Sequence, residues 1–131
     1  MNTSGQLQCI LYVEDEPDIR AIAELALETV GGYTLVSCSG GHEALEAAQR
    51  QQPDLLLLDV MMPEMDGPET LRRLREIPHM REVPAVFMTA KVQPQEVEEY
   101  RNLGAVDVIA KPFDPLTLAD QIYHIWQQAG Q

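Results

Sequence analysis

The sequence predicts an α/β fold built on a single doubly wound, five-stranded parallel sheet, and three observations predict it. Short apolar, β-prone runs alternate five times with stretches of helical periodicity. The connections between them are short, as in sheets whose consecutive elements pack side by side. One run, Leu55-Leu56-Leu57-Leu58, has no polar interruption, which a strand buried on both faces requires.

A polar leader at 1–6, expected to be disordered, precedes the first strand, Leu7 to Val13, which Glu14-Asp15-Glu16-Pro17 stops. Proline suits a first helical turn and acids suit the positive end of the helix dipole. Ile19, Ile22, Ala23, Ala26, Leu27 and Val30 then recur at helical spacing until Gly31-Gly32. Tyr33 to Cys38, rich in β-branched and aromatic residues, is the second strand, and Gly40-Gly41 leads into a helix with Ala44, Leu45 and Ala48 on one face. Pro53-Asp54 opens the leucine strand. Its loop runs to Asp66-Gly67-Pro68, where Pro68 and Glu69 mark a helix with Leu71, Leu74 and Ile77 inward. Pro78 and Pro84 bracket a turn before the fourth strand, Ala85 to Met88, which Thr89-Ala90-Lys91 stops. Pro94 opens a helix with little apolar content beyond Val97, Tyr100 and Leu103, and Gly104 ends it. Ala105 to Ala110 is the fifth strand, Lys111-Pro112-Phe113 a loop, and Leu118, Ala119, Ile122, Ile125 and Trp126 stripe the last helix.

The 131 residues are long enough for one core without staples, and 7–130 read as one domain. A formal net charge of −12, with only two lysines, Lys91 and Lys111, argues against a nucleic-acid surface, which needs a basic patch. The opening six residues are no signal peptide, and no apolar stretch approaches the ~20 residues of a membrane span. Cys9 and Cys38 each fall in a strand and read as buried free thiols, so a cytoplasmic protein is expected, with neither membrane nor nucleic acid among its partners. His42, His79 and His124 read as solvated surface residues.

The polar residues at the strand ends carry the chemistry. Glu14 and Asp15 follow the first strand, Asp59 the third, Thr89 the fourth and Lys111 the fifth. In a parallel sheet these carboxyl ends share one edge, and open α/β folds bind ligands there at a switch point of strand order. Carboxylates ~4 Å apart repel by about 4 kcal/mol per pair at an effective dielectric of ~20. Glu14, Asp15 and Asp59 therefore either stay partly protonated or bind a cation. Few carboxylates, completed by water and a backbone carbonyl, suit octahedral Mg²⁺ ahead of a fully caged Ca²⁺ or a thiolate-bound metal, with Mn²⁺ as a substitute. A carboxylate can act as the nucleophile that forms an aspartyl phosphate, while Lys111 offers a point charge and Thr89 a hydroxyl donor to the phosphoryl group.

The segments Leu-Tyr-Val-Glu-Asp-Glu-Pro, Leu-Leu-Leu-Asp-Val-Met-Met-Pro-Glu-Met-Asp-Gly, Thr-Ala and Lys-Pro-Phe, in this order and at these separations, resemble the receiver domain of two-component response regulators. The resemblance runs from about Ile10 to about Trp126 and implies the CheY-like, flavodoxin-like strand order 2-1-3-4-5 and a cis bond before Pro112. It implies Asp59 as phosphoacceptor, with Mg²⁺ held by Asp15, Asp59 and the backbone carbonyl of Met61, and Glu14 acting nearby through water. Thr89 would swing toward the phosphoryl group and Lys111 would pair with it. The donor would be a phosphohistidine of a sensor histidine kinase or histidine phosphotransfer protein. The product would alter contacts with a downstream protein target, or with a second copy through the face of the fourth helix, fifth strand and fifth helix.

One departure stands out: three residues before the lysine, where the family usually carries Tyr or Phe as a switch coupled to the threonine, this chain has Val108. Met61 and Lys91, two residues past Asp59 and Thr89, stand where side chains tune water access to the acyl phosphate. On this reading the protein is a signalling phosphoacceptor and not an enzyme, apart from promoting its own phosphorylation and dephosphorylation. Two other classes stand beside it. A phosphohydrolase of the haloacid-dehalogenase type would carry a second acid where Met61 lies, and a receiver-like interaction module with little phosphorylation dependence would suit Val108 but not the intact acids, threonine and lysine. The chain stops about where its last helix ends, so no output domain is expected within it. A stand-alone receiver and the receiver of a larger protein such as a hybrid kinase both fit.

Overall fold

In the computed structural model, which describes residues 6–130, the strands are β1 (Cys9–Val13), β2 (Thr34–Cys38), β3 (Leu55–Asp59), β4 (Ala85–Thr89) and β5 (Asp107–Ala110). The α-helices are α1 (Pro17–Glu24), α2 (Gly41–Ala48), α3 (Gly67–Leu74), α4 (Pro94–Asn102) and α5 (Leu118–Ala129). Every strand pair is parallel, and the order across the sheet is β2-β1-β3-β4-β5, the doubly wound arrangement expected. The chain moves outward from β1 to β2 and then reverses to β3. The switch point therefore lies between β1 and β3.

Coverage of both faces explains the leucine run. Leu55 and Leu57 pack with Ala23, Leu27, Leu118 and Ile122 under α1 and α5, whereas Leu56 and Leu58 pack with Ala44, Leu71, Leu74 and Phe87 under α2 and α3. Alternation along one strand thus feeds two cores, and each leucine stabilises the fold by about 1.5–3 kcal/mol on leaving water. All of β3 is buried, including its last residue, Asp59.

Helix starts follow the local chemistry. Asp66 caps α3 by accepting Glu69 N–H at 2.9 Å, and Gln93 with Glu96 forms a reciprocal capping box ahead of Pro94 in α4. α4 buries no residue fully. Its Tyr100 packs on the core edge-on to Phe87, ring centroids 5.4 Å apart.

The first helix departs from expectation. Regular winding stops at Glu24, and Leu25–Val30 continue as a π-helix, with Gly31 N–H reaching back to Ala26 O at 3.0 Å. Within the π-wound segment Ala26 and Leu27 stay buried while Val30 is 56% exposed, and Ile22, in the regular part of α1, is 47% exposed. The π-wound segment also delivers Gly31 against α5, where a Cβ would lie 2.8 Å from both Ala119 Cβ and Leu27 O.

Other differences are smaller. β1 and β5 begin two residues later than expected, Asp59 and Thr89 are the final residues of strands, and Ile77 lies beyond the end of α3. Of the leader expected to be disordered, residues 1–5 lie outside the described residues. Both cysteines are free, but Cys9 is only half-buried. Burial, with a smaller contribution from the charge of Glu43, pushes the Cys38 thiol up to about 12. His42, His79 and His124 are exposed as expected, and His79 also sets Nε2 2.7 Å from Ala48 O. Among the described residues, no helix is long and apolar enough to cross a membrane.

Gly31→Ala is expected to cost about 1–3 kcal/mol, because the added methyl meets a backbone oxygen as well as Ala119. Urea denaturation measures this, and an unchanged midpoint would mean that the π-wound segment and α5 can part freely.

Candidate functional site

The site is assembled where β1, β3, β4 and β5 end. Glu14 follows β1 and is held there from three sides: its N–H donates to Cys38 O at 3.0 Å, its carbonyl accepts Arg20 Nη1 at 2.8 Å, and its Oε2 accepts Glu16 N–H at 3.3 Å. Asp59 closes β3, across the switch point. Lys111, just past β5, reaches over β4 and donates from Nζ to Asp59 Oδ1 at 2.9 Å and to Glu14 Oε1 at 3.1 Å. Its own N–H donates to Thr89 O at 2.9 Å, and the peptide bond to Pro112 is cis, as the resemblance implies. Asp15 is half-buried, and one carboxylate oxygen each from Glu14, Asp15 and Asp59 lies within 4.8 Å of the others.

The loop after Asp59 turns back on the strand. Gly67 N–H donates to Val60 O at 2.9 Å, and a Cβ on Gly67 would stand 2.5 Å from Asp59 O. Only glycine allows the start of α3 to rest on the backbone of Asp59. Thr89 is buried, and its Oγ1 accepts the Lys91 N–H at 3.1 Å.

Charge dominates this corner. Glu14 is fully buried and Asp59 is 3% exposed, yet both share the one ammonium of Lys111 while the Asp15 carboxylate lies close beside them. Burial and then the charge of Asp59 push the Glu14 carboxyl above its ordinary range. Burial also pushes Asp59 up; the Lys111 bond relieves part of this, and Asp15 adds to it. Burial pulls the Lys111 ammonium down, but its bonds to Asp59 and Glu14 outweigh that and raise it. Carboxylates this close repel by several kcal/mol per pair, so the corner favours a proton or a multivalent cation. Hard oxygen donors of this number, on a water-accessible edge, fit Mg²⁺.

Residues 10–123 match the family of the response regulator receiver domain. The chain belongs to that family. It is 39% identical over 118 residues to an uncharacterised 14.6 kDa protein of Leptolyngbya boryana, covering 90% of this chain and 88% of that one. It spans only 51% of other curated relatives, which are named as probable transcriptional regulators. The crystallised chemotaxis response regulator CheY4 of Vibrio cholerae superposes with a TM-score of 0.84 at 29% identity, over 92% of this chain and 99% of that one. The receiver domain of the sensor histidine kinase PA1611 from Pseudomonas aeruginosa, with a magnesium ion coordinated in its active-site cleft, superposes with a TM-score of 0.79 at 31% identity, over 96% of this chain and all of the other.

In this receiver domain, Glu14, Asp15, Asp59 and Lys111 come together as a cluster, and Thr89 stands at the next strand end with its hydroxyl turned to Lys91 N–H. Met61 directs its side chain to solvent, 73% exposed, whereas Met62 and Met65 are buried. Val108 is half-buried on β5, across from Phe87. Sequence reasoning missed three contributors: Arg20 on the Glu14 carbonyl, the Lys91 amide on Thr89, and Gly67 against Asp59. The Asp66-Gly67-Pro68 signal was legible only as a helix start, because close backbone approach leaves no local mark.

Carboxyl groups raised on folding hold more protons folded than unfolded, so their contribution is most favourable at acid pH and is lost as pH rises through the folded values. Without divalent metal, the share of stability due to Glu14 and Asp59 is therefore expected to fall as pH rises above the ordinary carboxyl range and through their raised folded values. Lys111 contributes up to its ordinary value and loses that only at strongly alkaline pH. Asp59→Asn should flatten the acid-to-neutral slope and stabilise the metal-free protein at pH ~7 by about 1–2 kcal/mol. Thermal denaturation in chelator at stepped pH measures the difference, and a variant less stable than wild type at neutral pH would contradict the crowding described.

Proposed function

We propose that Asp59 accepts a phosphoryl group from a phosphohistidine of a sensor histidine kinase or histidine phosphotransfer protein. The observation that carries this reading is one acidic cluster at the switch point, with Asp59 Oδ1 held 2.9 Å from Lys111 Nζ and Glu14 and Asp15 beside it. An Asp59 oxygen attacks phosphorus in line, the P–N bond breaks, and the imidazole nitrogen keeps the electron pair and takes a proton. Lys111, already positioned on Asp59, holds charge on the transferred group, and the Thr89 hydroxyl donates to one of its oxygens. Asp15, Asp59 and the Met61 carbonyl would hold Mg²⁺ or Mn²⁺, with Glu14 acting nearby through water. The ion, when bound, supplies neutralising charge to the carboxylates and phosphoryl oxygens.

Met61 offers no second acid for turning over a phosphate ester, so the chemistry is confined to gain and loss of the protein's own phosphoryl group. The unit that does this is 7–130. We assign the contact with a downstream target, or with a second copy, to the α4–β5–α5 face, because the loop bonded to Thr89 leads into α4. Free cysteines support a reducing, cytoplasmic setting.

Acetyl phosphate with Mg²⁺ should add the mass of one phosphoryl group to the wild-type protein and none to Asp59→Asn; equal labelling of both would sink the assignment. Met61 and Lys91 are exposed and stand two residues past Asp59 and Thr89, so Met61→Asn and Lys91→Ala are each expected to change the decay rate of the phosphoprotein several-fold. Decay that matched wild type in both would remove these residues from control of water access.

A further inference from the structure

α4 is the helix least fastened to the sheet. It has no fully buried residue, and the side chain that packs it on the core is Tyr100, edge-on to Phe87 at 5.4 Å and 66°. Phe87 and Thr89 are alternate residues of β4 and so share a face, and Phe87 lies across from Val108 in the β4–β5 register. Tyr100 therefore stands beside the place where Val108 replaces the expected aromatic, one pleat along from Thr89. The Thr89 hydroxyl is tied in turn to the loop that leads into α4, through the Lys91 N–H at 3.1 Å. A groove of about 240 Å³, lined by Lys91, Glu96, Glu99, Tyr100 and Leu103, runs beside the ring and leaves it room to move.

We propose that Tyr100 is the side chain through which α4 responds to Thr89, in place of the β5 aromatic that this chain lacks. The inference rests on Asp59 being the phosphoacceptor. Turning the Thr89 hydroxyl toward a phosphoryl group on Asp59 takes its oxygen away from Lys91 N–H. The loop at 91–93 then loses its tether to the strand, and α4 re-seats by shifting Tyr100 over Phe87 and Val108. Val108 cannot perform this itself: a β-branched side chain is short and stiff about χ1 and has no ring to swing between two positions. Tyr100 is thus a positioning residue for the output face and touches no reacting atom.

Two measurements on the full chain test this. In protein carrying 3-fluorotyrosine, the Tyr100 resonance, assigned by its loss in Tyr100→Phe, is expected to shift in proportion to the phosphoprotein formed with acetyl phosphate and Mg²⁺, while intact mass reads the phosphorylation itself. Deuterium exchange across residues 94–102 should change by ~3-fold or more on phosphorylation in wild type and in Tyr100→Phe, which keeps the ring, and stay flat in Tyr100→Leu at the same phosphoryl content. A Tyr100 resonance that does not move in fully phosphorylated protein overturns the proposal, as does a Tyr100→Leu protein whose α4 responds like wild type. The fluorine measurement decides even where the leucine variant fails to fold. Absence of any mass increase removes the reading of Asp59, and this inference with it.

Discussion

One ammonium group shared between two buried carboxylates, with a third acid close by, is the interaction on which the rest of this molecule depends. Lys111 bonds Asp59 and Glu14 at once, so three strand ends must be brought to one point and kept there. A parallel sheet with its reversal between β1 and β3 achieves that. Its cost is repulsion that the cluster cannot resolve internally, because three negative charges face a single positive one. That excess of negative charge is what a proton or a multivalent cation would relieve.

The frame of this arrangement is readable in the sequence because it is written in one dimension. Four consecutive leucines identify a strand covered on both faces, and the polar residue that ends each greasy run marks a carboxyl edge. From that alone Glu14, Asp15, Asp59 and Lys111 could be placed in one crevice, and the structure puts them there. The strand order, the cis bond and the division of labour among these residues came from family resemblance, since spacing says nothing about which neighbour a strand chooses.

What the sequence hid depends on contacts between distant segments. Apolar recurrence from Ile19 to Val30 suits both ordinary and π winding, so the outward turn of Val30 leaves no signal. Gly67 looked like a helix-start residue, although its lack of a side chain is demanded by the carbonyl of Asp59. Tyr100 looked like one of few apolar residues in a weak helix, although Phe87 beneath it gives it a definite seat. Each of these is a matter of who lies opposite whom after folding.

β3 carries Asp59 at its tip and is buried along its whole length, with a partner strand on either side. Segments of that kind open only when the entire domain opens, unlike termini and loops, which fray by themselves. The aspartate therefore has no mechanical escape from its neighbours: it cannot relax by letting its strand peel away. Relief can only be chemical, through a change of charge at the carboxylate or beside it, and a strand paired on both sides keeps that carboxylate in place meanwhile.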